Sequence, residues 1–307
     1  MASMETASIL RELEPVAAKL LDRHMGVAKE WFPHEMVPYS RGKDFEPGKS
    51  WVPEDADFGT AGSDLDEAVR GALFVHLLTE DNLPYDFNDI DRMFGSDSAF
   101  GEWARNWTAE EGRHAIVMRD YLTVTRALDP VALERARMIQ VRSGDVPKPE
   151  SALEGLAYVS LQELATRISH RNTGKFMTDP IGTEIMSRVG NDENLHHLFY
   201  RDLTTAALEI DPSSTMLGIE RAVVNFAMPG QGIPNFDRLA KEIARAGIYD
   251  LLIHHDQILM PVVKRHWKIE EVTGLTSEAE KARENILRHM ERTEKVGRRL
   301  SSSRVAV

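Results

Sequence analysis

No cysteine occurs in this chain of 307 residues. Disulfides, thiolate zinc sites, cysteine-ligated iron–sulfur clusters and a cysteine nucleophile are thereby excluded, so any metal or redox chemistry has to use oxygen and nitrogen ligands. No run approaches the roughly 18 apolar residues of a spanning helix. The opening MASMETASILRELEP has glutamates where a signal peptide needs a basic flank and an apolar stretch. A cytoplasmic protein without a transmembrane segment is the expectation. Positive charge is scarce as well: 37 Lys and Arg stand against 49 Asp and Glu, a net charge of -12. Proteins that hold phosphate backbones displace counterions with cations, and nucleic acid is set aside as a partner.

What the chain does have is helical period. Apolar residues recur at helical spacing through most of the sequence, and no run alternates as a strand does. The fold reads as all-α. Helices are predicted over Leu10 to Ala28, from a cap at Asp64 to about Asn82, and near 97–127, 130–141, 151–174, 179–208, 212–225, 235–266 (broken near Gly247) and 277–299. Between Tyr39 and Gly62 lies an irregular stretch with two prolines, four glycines and Trp51, and Met228 to Pro234 (MPGQGIP) is a turn. No linker divides residues 1–307, which read as one domain. From Lys281 to the end eight basic residues face three acidic ones; this basic tail is either a solvated helix face or a landing place for an acidic partner.

Two motifs carry chemistry, Glu111-Gly112-Arg113-His114 and Glu193-Asn194-Leu195-His196. Residues three apart share a helix face, so each motif can aim a carboxylate and an imidazole at one point. Alone, either is as ordinary as a polar helix face. Together they are related by an offset of 82 residues, which also takes Arg119-Asp120 onto Arg201-Asp202 and Glu110 onto Asp192. Upstream, Glu80 precedes Glu111 by 31 residues and Glu163 precedes Glu193 by 30. Each half thus supplies a helix with one glutamate and a following helix with Glu-x-x-His. That is the ligand inventory of a di-iron or di-manganese site in a ferritin-like four-helix bundle. Four glutamates in a bundle core need about two divalent cations to cancel their charge, and oxygen and imidazole donors suit iron or manganese. By the same pseudo-symmetry Asp192 is placed to serve His114, and Glu110 to serve His196, because metal-bound histidine usually donates its second N–H to a carboxylate. Thr166 and His170 share the face of Glu163. The Thr166 hydroxyl either faces the metals or bonds its own helix, and His170 reads as structural.

The strings LLTEDNLPY, WTAEEGRH, SLQELATRISHRNTGK and DENLHHLFYRDL resemble the soluble acyl-[acyl-carrier-protein] desaturases, especially their actinobacterial branch. The likeness runs from about Leu10 to at least Met260, with six expected ligands in order. It implies a ferritin-like di-iron core extended by further helices, with Glu80, Glu111, His114, Glu163, Glu193 and His196 as ligands of two Fe ions. It implies Thr166 beside the oxygen site, and an electron route from a surface tryptophan through an aspartate, which falls on Trp51 and Asp192. The implied reaction is cis desaturation of a carrier-bound acyl chain with O2 and two electrons. The implied partners are acyl carrier protein, a ferredoxin-type donor and a second copy of the chain in a homodimer. Arg283, Arg288, Arg292 and Lys295, or Arg167, Arg171 and Lys175, are the basic residues available for an acidic carrier. The sequence departs from the family pattern at Gly112, inside a ligand-bearing helix, and across Tyr85 to Phe94, where Met93 and Phe94 bear on the substrate channel.

Three other readings compete. A ferritin-like iron oxidase or storage protein needs only the four-helix core, which this chain exceeds by more than a hundred residues. A carrier-binding protein that keeps metal for stability, and a di-iron hydroxylase of another acyl chain, share the same ligand set.

Overall fold

The computed structural model describes residues 4–42, 44, 65–228, 230, 232–233 and 235–305. Short polar side chains set most helix starts. The carboxylates of Asp66, Asp129, Asp179, Asp211 and Asp250 and the hydroxyls of Ser98 and Ser151 each accept from a backbone N–H of the first turn that has no helical partner. The helices that follow are α1 (Met4–Val27), α2 (Pro33–Met36), α3 (Glu67–Glu80), α4 (Leu83–Phe94), α5 (Ala99–Val124), α6 (Pro130–Ser143), α7 (Ala152–Phe176), α8 (Pro180–Ile210), α9 (Pro212–Val224), α10 (Phe236–Arg245), α11 (Leu251–His254) and α12 (Ser277–Val305). Among the described residues there is no strand. No described helix is long and apolar enough to cross a membrane.

Two starts differ from the expectation. Asp64 lies outside the described residues, and the cap of α3 is Asp66, whose side chain accepts from the Ala68 N–H at 2.8 Å. Helix α4 is not among the predicted helices at all. It begins after only Asp81 and Asn82, with Pro84 in its first turn, and spans 12 residues, so its period is too short to separate from that of α3. The expected break near Gly247 is present: this residue has φ of +76°, a conformation costly for side chains with a Cβ, and it ends α10. From His255 to His266 the chain continues α11 as a wide π-type helix around Pro261, which has no N–H to give to the α-helical ladder.

Helices α3, α5, α7 and α8 form the central bundle, with α7 and α8 the most extensively packed pair. Helix α1 lies across α5 and α8, while α9 and α12 cover the outer side of α7. The approach of α9 to the start of α7 depends on Gly218, where a Cβ would sit 2.9 Å from the Leu153 and Glu154 backbone. Three apolar clusters result. One joins α3, α5, α6, α8 and α10, a second α1, α4, α5, α7 and α8, and a third α7, α9, the π segment and α12. The polar centre lies between them.

Candidate metal centre

Each helix of the central bundle brings its expected residues to one place. Glu80 ends α3, Glu111 and His114 lie mid-way along α5, Glu163 and Thr166 on α7, and Glu193 and His196 on α8. Both histidines are fully buried, and Glu111, Glu163 and Glu193 are 6%, 1% and 1% exposed. Two overlapping groups form. Atoms of Glu80, Glu111, His114 and Glu193 lie within 4.8 Å of one another, and so do atoms of Glu111, Glu163, Glu193 and His196. Glu111 and Glu193 belong to both. Two terminal carboxylates, two histidines and two shared carboxylates are what a pair of adjacent cations requires.

The hydrogen-bond inventory is consistent with cations at this place. Glu163 Oε2 and Glu193 Oε1 are buried and make no hydrogen bond among the described residues, a costly state for a native core, while Glu111 Oε1 and His196 Nδ1 face each other at 2.7 Å. Titration behaviour follows from the same crowding. Burial pushes the Glu163 carboxyl well up, and Glu193 and Glu111 add to it. Burial disfavours charge on His114 and His196, yet Glu111 and the hydrogen-bonded carboxylates outweigh it and raise both imidazoles well above their ordinary range. Without metal, protons take up charge that divalent cations would otherwise balance. The donor set, all oxygen and imidazole, fits two irons or manganese ions and has no thiolate that would favour zinc.

Outside the ligands the two halves differ. His196 Nε2 lies 2.8 Å from Glu110 Oε2, which is also 3.1 Å from His24 Nε2 on α1. Burial alone would raise the Glu110 carboxyl, but His196 and His24 hold it far below its usual range. His114 Nε2 faces Asp192 Oδ2 at 3.5 Å. Asp192 in turn accepts from the Trp31 indole N–H at 2.7 Å and pairs with Arg113 and Arg188 at 3.3 Å. Trp51 lies outside the described residues. The place expected for it, against Asp192, is held by Trp31, 7% exposed and stacked on His114 with ring centres 6.3 Å apart.

Thr166 Oγ1 is 2.7 Å from Glu193 Oε2 and also 3.0 Å from its own helix carbonyl at Glu163, so the hydroxyl bonds its own helix as one reading expected and also lies against a candidate ligand. His170, expected to be structural, is part of the centre. Its Nε2 is 3.3 Å from Glu80 Oε1 and 3.6 Å from Glu193 Oε1, and its Nδ1 is 3.1 Å from His76 Nδ1. Burial lowers the His170 imidazole, but Glu193 and Glu80 push it up to about 9. The Trp107 indole donates to Glu163 Oε1 at 3.1 Å. Trp31 and His24 belong to no motif, and Trp107 and His170, although inside the quoted strings WTAEEGRH and SLQELATRISHRNTGK, carry no spacing signal that marks them as outer partners.

Cavities flank the centre on two sides and meet at Thr79 and Thr166. One, walled by Val75, Phe236, Ala240 and Ile243 beside His76 and Tyr249, is mainly apolar. The other passes Glu80, Glu111 and Glu163 and continues between Leu83, Ile90, Met93 and Val159, with Asp86 and Asp89 in its wall.

A family model for fatty acid desaturases matches residues 5–306. DesA1 of Mycobacterium tuberculosis, which carries the name acyl-[acyl-carrier-protein] desaturase, is 42% identical over 295 residues, covering 93% of this chain and 85% of its own. The chloroplastic stearoyl-[acyl-carrier-protein] 9-desaturase of Spinacia oleracea is 28% identical over 301 residues, covering 92% and 73%. The X-ray structure of the acyl-ACP desaturase DesA2 from M. tuberculosis superposes with a TM-score of 0.69 at 26% identity, covering 90% of this chain and 99% of that one.

Proposed function

This chain belongs to the fatty acid desaturase family, and from that premise we propose that it introduces a cis double bond into an acyl chain carried on acyl carrier protein. The observation that carries the reading is the pair of overlapping ligand groups sharing Glu111 and Glu193, with a cavity on each side, one of them mainly apolar. When bound, two irons supply the oxidising power that no side chain has, with O2 and two electrons, to remove two hydrogens from an unactivated C–C bond. The protein's own part is placement and protection. Glu111 and Glu193, common to both groups, would hold both cations, with Glu80 and His114 holding one and Glu163 and His196 the other. Asp192 and Glu110 hold the two imidazoles in register, each by facing the ring nitrogen turned away from the centre. The Thr166 hydroxyl, on Glu193 at the boundary of the two cavities, is placed to donate a hydrogen bond where O2 reacts. Cavity walls hold one C–C bond beside the centre and exclude water; a misplacement of about 1 Å costs on the order of a hundredfold in rate.

Electrons from a ferredoxin-type donor would pass by Trp31 and Asp192 to His114. The carrier, an acidic protein, would rest on α12, where Arg288, Arg292 and Lys295 are exposed. Arg283 is removed from that surface: it is half-buried, bonding the Val272 carbonyl and Glu280. A homodimer is part of this proposal. The deciding experiment is a single turnover of iron-loaded, reduced protein with acyl carrier substrates and oxygen. A product lighter by two hydrogens is expected. A product heavier by one oxygen would make the protein a hydroxylase, and an unchanged chain would leave a carrier-binding protein.

A further inference from the structure

Four cavities share walls in sequence. A groove between α10, α11 and α12 shares Met228, Ala240 and Tyr249 with the apolar cavity beside the candidate metal centre. That cavity meets the carboxylate-bearing one at Thr79 and Thr166, and the latter shares Pro147, Pro149 and Tyr158 with a polar vestibule before α7. The result is a passage with an apolar half and a half that contains Asp86 and Asp89. An acidic carrier favours the apolar mouth. There α12 exposes Arg288, Arg292, Lys295 and Arg299 against Glu284 and Glu291, with Arg298 paired to Glu294, whereas Asp145, Glu150 and Glu154 line the vestibule beside Lys148 and Arg221. An acyl chain attached to the carrier therefore reaches the centre first and the aspartates afterwards.

The two aspartates are not equivalent. Asp89 pairs with Arg92 at 3.0 Å. Asp86 lines the same wall, among Leu83, Ile90, Met93 and Val159, and its side chain makes no hydrogen bond or ion pair among the described residues. It does not bond the N-terminal N–H groups of α4, although it stands in the first turn of that helix. The Tyr158 hydroxyl across the cavity is committed to the Ala227 carbonyl at 3.1 Å. A plain alkyl chain here would strip water from a carboxyl and return nothing, the situation binding sites avoid. A hydroxyl on the chain would restore the lost hydrogen bond whether it donates or accepts.

We propose that Asp86 is a specificity residue that selects an acyl chain bearing a hydroxyl on the carbons beyond the reacting bond, counted from the carrier. The inference rests on the acyl desaturase reading and deepens it. It is tested by equilibrium binding and product analysis on the metal-loaded full chain. The probes are carrier-bound saturated chains of one length, unsubstituted or with a single hydroxyl walked along the distal half. One hydroxyl position is expected to bind about tenfold more tightly than the plain chain, as expected for one hydrogen bond to an otherwise unpartnered carboxyl. Asp86→Leu should erase that preference and bind the plain chain about tenfold better than wild type. Asp86→Asn, which keeps a hydrogen-bonding group, should retain the preference, and Asp89→Leu should leave it unchanged. Equal binding of all chains by wild type, or an unaltered preference in Asp86→Leu, overturns the role of Asp86 and leaves the desaturase reading intact. Binding of no acyl chain at all removes the desaturase reading, and this inference with it.

Discussion

The two halves of the candidate metal centre have the same residue types at their heart and different surroundings. On one side His114 faces Asp192, which is held by two arginines and the Trp31 indole. On the other His196 faces Glu110, which is held by His24 beside Trp103. Burial would raise both outer carboxylates, but His114 and the Trp31 indole hold the first below its ordinary range, and His196 with His24 hold the second there. A repeat of 82 residues can copy ligand positions because ligand spacing is a property of one helix turn. It cannot copy the neighbours, because α1 and the segment after it cross both repeats only once and offer His24 to one and Trp31 to the other.

That contrast can be broken at several points. The largest effect is expected at the shared carboxylates. Glu111→Ala should reduce bound iron from about two per chain to below one and lower turnover at least about a hundredfold, beyond the loss typical of outer partners. Retention of both irons by this variant would sink the shared-ligand geometry. Next come Asp192→Asn and Glu110→Gln, each expected to weaken metal binding about ten- to a hundredfold. Each should disturb the spectroscopic signature of one iron and leave the other. Trp31→Phe should slow reduction by the electron donor while metal content stays at wild-type level; equal reduction rates would remove the indole from the route.

A control for acid sensitivity lies away from both halves. His254 is buried, with the Tyr249 hydroxyl 2.8 Å from its Nδ1, and burial together with His289 and His255 pulls its imidazole down to about 4. The unfolded chain binds that proton near pH 6.5. Between the two values the unfolded state holds more protons, so the stabilisation is complete above about pH 6.5 and lost as pH falls toward about 4. Urea melts should show about 1 kcal/mol lost between about pH 7 and about pH 5.5 that is absent in His254→Gln. An identical pH slope in the two proteins would rule this out. The smallest effect concerns Gly112, whose counterpart at the 82-residue offset is Asn194. A Cβ there would meet only Leu83 Cδ2, at 4.0 Å. Gly112→Ala should therefore stabilise the protein by up to about 1 kcal/mol, a rise of about 2 °C in Tm, with metal content unchanged.

How much could be read in advance differs by residue. Glu80, Glu111, His114, Glu163, Glu193 and His196 were legible because a repeated spacing on helices fixes a face, and four buried carboxylates make sense only around cations. Asp192 and Glu110 were legible through the same repeat. Helix α4 was not, since a two-residue break and 12 residues of weak period merge with α3. Trp31 was not, because an indole in the short connection between α1 and α2 looks like any packing residue until Asp192 stands 2.7 Å from it. His170 looked structural for the same reason: its helix face was known, but Glu80 and His76 reach it from α3.

Periodicity, spacing and the absence of cysteine determined by themselves that the chain is helical, that any metal has only oxygen and nitrogen ligands to bind, and which six residues converge. Those are properties of single helices and of side-chain chemistry, and they survive without knowing how helices cross. The tertiary structure alone decided which indole and which histidine hold the outer carboxylates, that His170 joins the centre, and that an unpaired Asp86 faces the passage. Each of these depends on residues from different helices meeting across a packed interface, where distance in sequence carries no information about distance in space.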